Sequence, residues 1–336
     1  MQTDIDILEN ELLKQYPEVL EILLHDHTTQ KNIFWATDNY ESLGKDYHFD
    51  AQILPELITG ENGSIIMPRI QKDVLLQQSR SKDMAEVFTP SWICNAQNNL
   101  IDNAWFGREN VFNTEQEKSK DFKWTANKNK ITFPENKTWK DYVRDTRLEM
   151  ACGEAPYITS RYDTTTGRFI PIEKRIGILD RKLRVISENV ESSGEWLEWT
   201  QTAYKNTYAY EFHGDSLLIA REAMLVTFIE NYKEKFGKEP LLKSIQYIAY
   251  IISWNVWQMD GLKGVVPNSC GHKTETSINL FGETETKHSF CLGCQKETIH
   301  NHNGTYCLIK DWPNKDLKTG KKGRKIRFVD LLKNLR

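Results

Sequence analysis

Over residues 5–24 the apolar side chains Ile5, Leu8, Leu12, Leu13, Val19, Leu20 and Leu23 recur at helical spacing, and Pro17 among them predicts two helices rather than one. The turn-forming Gly-Glu-Asn-Gly-Ser at 60–64 leads into Ile-Ile-Met-Pro-Arg-Ile, which reads as a strand. Residues 71–88 then read as helix or coil. Residues 106–140 are polar, rich in Asn and Lys and weakly periodic, so they predict loop with one short strand at 131–133. The strongest globular signal spans 145–266. Within it, Ile178, Leu179, Leu183 and Ile186 predict a helix packed on a sheet, and Trp196 and Trp199 are expected to be buried. A strand ending at Glu211 precedes an apolar helix, and a further apolar run from Ile251 ends in Asp260-Gly261.

The chain has 336 residues, enough for one large domain with an appendage or two modest ones, and 39% hydrophobic residues can build a core. With 27% charged residues and no long apolar run, a membrane protein is excluded. No basic segment followed by an apolar run and a cleavage site opens the sequence, and six Cys are too few for a disulfide scaffold, so a reducing cytoplasm is expected.

Three places combine an apolar run with a terminal acid. Glu149-Met150-Ala151-Cys152-Gly153-Glu154-Ala155 has the form of a strand, a tight turn and a helical start, and Gly153 lets backbone approach a ligand closely. In Thr207-Tyr208-Ala209-Tyr210-Glu211-Phe212, the strand delivers a carboxylate able to accept both hydroxyls of a ribose; alternatively, Glu211 caps the next helix or pairs with Arg221. Asp260, before Gly261 and Leu262, can accept from an adenine amino group. Three such units in order point to a nucleoside crevice.

With these residues the chain resembles the S-adenosylmethionine-binding half of an N6-adenine DNA methyltransferase of the restriction–modification type. That family carries a Phe-Thr-Pro element upstream of the cofactor strands. Here it is Phe88-Thr89-Pro90, with Thr89 expected as the N-cap and Pro90 at the first helical position. The family's Asp-Pro-x-x-Gly-x-Gly turn is matched by Glu149 to Ala155, with Ala151-Cys152-Gly153 kept, Glu149 for Asp, Met150 for Pro and Ala155 for the last Gly. The resemblance covers roughly residues 80–265. It implies an α/β, Rossmann-like core that binds S-adenosylmethionine through Phe88, Thr89, Pro90, Glu149, Ala151, Cys152, Gly153, Glu211, Phe212, Asp260, Gly261 and Leu262. The stretch between Gly153 and Glu211 far exceeds the roughly 20 residues usual there, so 164–205 is expected as a helical insertion.

The family's catalytic tetrapeptide, a polar residue followed by Pro-Pro and an aromatic, is missing, because all ten prolines are isolated. The implied function is therefore a cofactor-binding subunit acting on DNA together with a second polypeptide that carries this motif, the remaining strands and target recognition. Without that polypeptide, the first strand would present an open edge.

Cys270-Gly271-His272 and Cys291-Leu292-Gly293-Cys294 have the spacing of a closed structural zinc site, with Cys270, His272, Cys291 and Cys294 as expected ligands and His302 or Cys307 as substitutes for His272. Cys94 and Cys152 are expected only to pack. From Lys310 to Arg336 ten Lys/Arg face three Asp, which reads either as a solvated tail or as a phosphate-contacting arm. The expected organisation is a helical region at 1–78, the cofactor core at 79–268, a zinc ribbon at 269–309 and a basic tail at 310–336. The alternative function is a non-catalytic module whose ribbon and tail bind nucleic acid or protein. No Asp followed by Glu-x-Lys supports a nuclease, and Glu173-Lys174-Arg175 reads as surface charge.

Overall fold

The computed structural model describes residues 9–72, 89–116, 123–278, 284–316, 319–320 and 322–332. Its organising element is a three-stranded parallel sheet. Helix α1 (Ser91–Phe106) precedes it, and the strands are β1 (Arg147–Met150), β2 (Thr207–Glu211) and β3 (Val256–Gln258), paired in the order β1-β2-β3. Parallel neighbours need long crossovers. The first contains α2 (Ile178–Asn189) and α3 (Ser193–Lys205); the second contains α4 (Gly214–Phe236) and α5 (Leu242–Asn255).

Side chains alternate across this sheet, so its two faces have different partners. Ala209 and Val256 belong to the main apolar core, which also holds Leu183, Trp196, Met224 and Ile252 from the crossover helices. Tyr210 and Trp257, on the opposite face, pack with Met259, Val266, Cys307, Ile309 and Phe328. A C-terminal module thus covers that face where another helix layer would be expected. It leaves Leu148 and Met150 of β1 uncovered, 42% and 67% exposed.

Pro17 does divide the first helical stretch: Glu9–Gln15 ends before it, and Pro17–Leu24 begins on it. Leu20, Leu23 and Leu24 sit in the same core as α4. The chain then crosses the carboxyl ends of β2 and β3, where Phe34 N donates to Gln258 Oε1 (2.9 Å), Gln258 Nε2 donates to Phe34 O (2.9 Å) and Gly214 N donates to Trp35 O (2.9 Å). The approach is so close that a Cβ on Gly214 would lie 1.9 Å from Phe34 O. The N-terminal region is built into the core.

Other expectations are corrected. The Ile-Ile-Met-Pro-Arg-Ile run forms no strand; its end enters a 3-10 turn at Arg69–Gln71, and Ile66 is buried in the main apolar core with Ile65 packed against it. Pro68 cannot donate to a ladder. The expected strand at 131–133 is loop, with Ile131 N donating to Glu188 Oε2 (2.8 Å), while Trp124–Ala126 pairs with Asn113–Glu115. Most of the apolar run before Asp260 is α5, because a buried helix and a buried strand read alike when apolar residues are continuous. The basic stretch is no free arm: Leu308–Lys315 (β4) and Lys322–Arg327 (β5) form an antiparallel hairpin. No helix among the described residues is long and apolar enough to cross a membrane.

Candidate functional site

After β1 the backbone turns sharply, with Ala151 (φ 49), Gly153 (φ 53) and Ala155 (φ 57) all in the left-handed region. For each alanine this costs about 1 kcal/mol or more, and such strain is kept where a loop is held from outside. Here Cys152 N donates to Tyr210 O (2.9 Å) and Gly153 N to Glu211 Oε2 (2.8 Å), tying the turn to the end of β2. Cys152 packs beneath it, buried.

Two acids meet at this turn with opposite electrostatics. The Glu149 carboxyl accepts from Tyr157 N (3.4 Å) and Ile158 N (3.2 Å). Burial pushes it up to about 8; those N–H groups oppose the shift and the nearby Glu211 charge adds to it. Burial also raises Glu211, but the His213 side chain and the N–H groups of Gly153 and His213 outweigh it and hold the acid below its ordinary value. At neutral pH one carboxyl keeps its proton and the other is ionised. Arg221 is no partner of Glu211; its guanidinium donates instead to the carbonyls of Val256 (2.8 Å), His25 (3.1 Å) and Leu23.

Thr89 lies against the chain that follows this turn. Thr89 O accepts from Thr164 Oγ1 (3.2 Å) and Cys94 Sγ (3.6 Å), and the Tyr157 hydroxyl lies against the Thr89 side chain. The expected cap is shifted: α1 starts at Ser91 with Pro90 as N-cap, and Ser91 N is capped by Asp163 Oδ2 (2.8 Å) from the loop after β1. Phe88 lies outside the described residues. Phe212 is half-buried between Phe49 and His213.

Asp260 stands two residues past β3, but its carboxylate is engaged in its own turn: Oδ1 accepts from Leu262 N (3.1 Å) and Lys263 N (3.2 Å), and Oδ2 pairs with Lys263 Nζ (2.9 Å). Gly261 is required there, since a Cβ would lie 2.6 Å from the Tyr210 ring, while Leu262 is 89% exposed. The structure thus joins Glu149 to Glu211 and leaves Asp260 at the neighbouring strand end. Sequence reasoning missed two further buried acids. Glu154 accepts from Arg69 N (2.7 Å) and Tyr162 Oη (2.6 Å), and Asp215 from Tyr40 Oη (2.8 Å) and Lys72 Nζ (3.0 Å). The acids directly after Gly153 and Gly214 were the available signal, but Arg69, Tyr40 and Lys72 are distant in sequence.

The second site is in the C-terminal module. Cys270, Cys291, Cys294 and His302 bring their ligand atoms within 4.8 Å of one another. His302 Nδ1 lies 3.6 Å from Cys270 Sγ, 3.4 Å from Cys291 Sγ and 3.6 Å from Cys294 Sγ, and Cys270 and Cys294 are 3.6 Å apart. A tetrahedron of zinc bonds (~2.3 Å to sulfur, ~2.0 Å to nitrogen) has edges of about 3.5–3.8 Å, so the group could hold such an ion. Burial raises the Cys291 thiol, but Asn303 N, Cys294 N and His302 bring it down to about 6, the thiolate form a metal needs. The fourth position belongs to His302 and not to His272, which is exposed with its ring edge on Phe290 (4.4 Å). Cys307 is also outside the group, its Sγ on Gln258 O (3.3 Å). Gly293 makes room for the ligand, since a Cβ would lie 2.6 Å from the His302 ring.

An open cleft of about 870 Å³, lined by Asn127, Glu173, Arg184 and Lys235 among others, touches neither site. No family model matches this chain, and no curated protein or solved structure matches it.

Proposed function

We propose that this chain is the S-adenosylmethionine-binding subunit of an adenine-N6 DNA methyltransferase of a restriction–modification system, active only with a second polypeptide. The observation that carries the reading is the junction of Glu149, the strained Ala151–Gly153 turn and ionised Glu211 at adjacent carboxyl ends of a parallel sheet. Open α/β sheets bind nucleosides at that end. The order β1-β2-β3 corresponds to one half of a Rossmann-like sheet.

The donor set fits the cofactor. Of the roughly four acceptor positions of the Glu211 carboxylate, Gly153 N, His213 N and the His213 ring take three, which leaves one for a ribose hydroxyl. Gly153 offers backbone without a side chain, Thr89-Pro90 walls the methionine end, and Asp260 retains acceptor capacity for an adenine amino group. When bound, S-adenosylmethionine supplies an electrophilic methyl group. The side chains here bind and orient it, and most of the rate would come from alignment and electrostatics in the assembled site.

The partner requirement rests on two facts. No Pro-Pro dipeptide exists in the 336 residues, and a base to be methylated must be flipped into a pocket that such a motif builds. In addition, β1 pairs only with β2 among the described residues, with Leu148 and Met150 exposed beside the free edge. Parallel sheets are ordinarily paired and covered. The test is co-expression with candidate partners, calorimetry with S-adenosylmethionine, and an assay for methylated adenine. The expected result is binding and methylation with the partner, both lost in Glu211→Ala, and a partner that no longer copurifies with Leu148→Gln/Met150→Gln. Methylation by this chain alone defeats the split-enzyme reading. Absence of cofactor binding in the complex favours the non-catalytic module, which the Cys3His group would stabilise.

A further inference from the structure

Lysines and aromatic rings interleave where the end of α3 and the outer side of α5 meet the β4–β5 hairpin. Lys205 Nζ lies 5.1 Å from the Tyr247 ring and 5.4 Å from the Trp312 ring. Lys310 Nζ is 4.7 Å from Trp312, 4.8 Å from Tyr250 and 5.2 Å from Trp254, and it donates to Tyr250 Oη (2.7 Å). Lys325 Nζ is 5.3 Å from Trp254. The rings support one another, with Tyr250 6.2 Å from Tyr247 and 6.3 Å from Trp312. Rings thus hold three ammonium groups on one face.

Their charge is not balanced from within. Among the described residues no carboxylate pairs with Lys205, Lys310 or Lys325, and Asp311 is already paired with Arg324 (3.1 Å). The hairpin register sets Lys310 opposite Lys325 and Lys315 opposite Lys322. Like charges directly opposite are destabilising, so the hairpin carries repulsion that an external anion would relieve. The carboxyl ends of α3 and α5 offset roughly half a charge each, which leaves about two of the three positive charges unopposed. His27 reports the same field: stacked on Trp254 (3.9 Å), it is pushed down to about 2 by burial first and then by His25, Arg221, Lys310 and Lys325.

We infer that this lysine–aromatic face binds the phosphate backbone of a nucleic acid. Charge complementarity selects a polyanion, and the interleaved rings select one with bases, because stacking and cation–π contacts add to phosphate attraction. The inference rests on the methyltransferase reading only in making DNA the first probe. Glu21 and Glu56, on the cleft that also contains His25 and His27, bound the face on one side.

The experiment uses the full chain and a fluorescent DNA duplex, with a single strand of equal length as the second arm, titrated from about 50 to about 200 mM salt. The variant is Lys205→Gln/Lys325→Gln; Lys310 is kept because it holds Tyr250. Wild type should bind with steep salt dependence. The variant should bind tenfold or more weakly at low salt with a slope flatter by about 2, because each phosphate that a lysine neutralises adds ~0.9 to the slope. Tyr247→Ala should weaken the single-strand arm alone. Unchanged melting temperature and zinc content show that the variant is folded. No binding by wild type, or equal affinity and slope in the variant, overturns the inference. Displacement of DNA by poly-glutamate at equal charge concentration also overturns it, marking a site for acidic protein. S-adenosylmethionine binding, measured on the same variant, fails only if the crevice reading fails.

Discussion

Glu149 and Glu211 are neighbours on adjacent strands, yet their surroundings drive their protonation apart. The folded Glu149 carboxyl sits at about 8 against an ordinary 4.5, so its stabilising share is whole below 4.5 and is lost as pH rises through 8. Linkage puts the ceiling on the order of 5 kcal/mol. Glu149→Gln, uncharged at every pH, should therefore melt higher than wild type at about pH 8 and differ little near pH 5. Thermal unfolding across that range checks it; parallel curves would contradict the assignment. A cationic ligand beside Glu149 would favour its ionised form and expel the proton, so calorimetric heats should vary with the buffer's ionisation enthalpy. At this scale the sequence singled out the cysteines that come together, but it could not show which histidine faces the thiolates. His302 and His272 are alike in type, and only the folding of residues 291–307 decides between them.

Among the elements, the amino ends of β1 and β2 are pinned by one side chain. Lys182 on α2 donates from Nζ to Asp145 O (2.6 Å) and Asn206 O (3.1 Å), the carbonyls just before the two strands. Burial lowers this amine to about 7, with Arg147 acting in the same direction and Asp145 and Asp102 opposing. Lys182→Met strands the Asp145 carbonyl, while Asn206 O keeps Arg147 N (3.1 Å), and should cost about 1–3 kcal/mol in urea unfolding. A loss under about 0.5 kcal/mol would mean water replaces the amine. Helix α1 reverses the usual pattern: Asn95, Asn99 and Asp102 are buried and bonded to Arg181, while Trp92, Leu100 and Ile101 are exposed. Amphipathic spacing was legible for α2 and for the helices divided by Pro17. It gave no reading for α1, whose buried face is a polar network, and it misled for α5, whose apolar run has no period to separate helix from strand.

Across the whole molecule, the C-terminal module is the second cover of the sheet, and its integrity should depend on the Cys3His group. Tyr210 and Trp257 are sealed by Phe328 and Ile309, whose hairpin is tied to the knuckle through Cys307, with Phe328 N donating to Cys307 O (2.9 Å). We expect about one zinc per chain by elemental analysis. Chelation, or His302→Ala, should lower the melting temperature and change the fluorescence of the buried tryptophans, while His272→Ala should keep both metal and stability. Full metal content in His302→Ala would refute the ligand assignment.

Local order was determined by sequence alone. Proline placed the helix break, glycine the tight turns and cysteine spacing the knuckle, because each acts through its own backbone or a neighbour a few residues away. Tertiary structure decided whatever depends on distant partners: His302 as the fourth ligand, the basic stretch as a hairpin sealing the sheet, residues 33–36 crossing the strand ends, and the opposite titration of two adjacent glutamates. These outcomes follow from burial and from pairings across hundreds of residues, which periodicity along a chain does not encode.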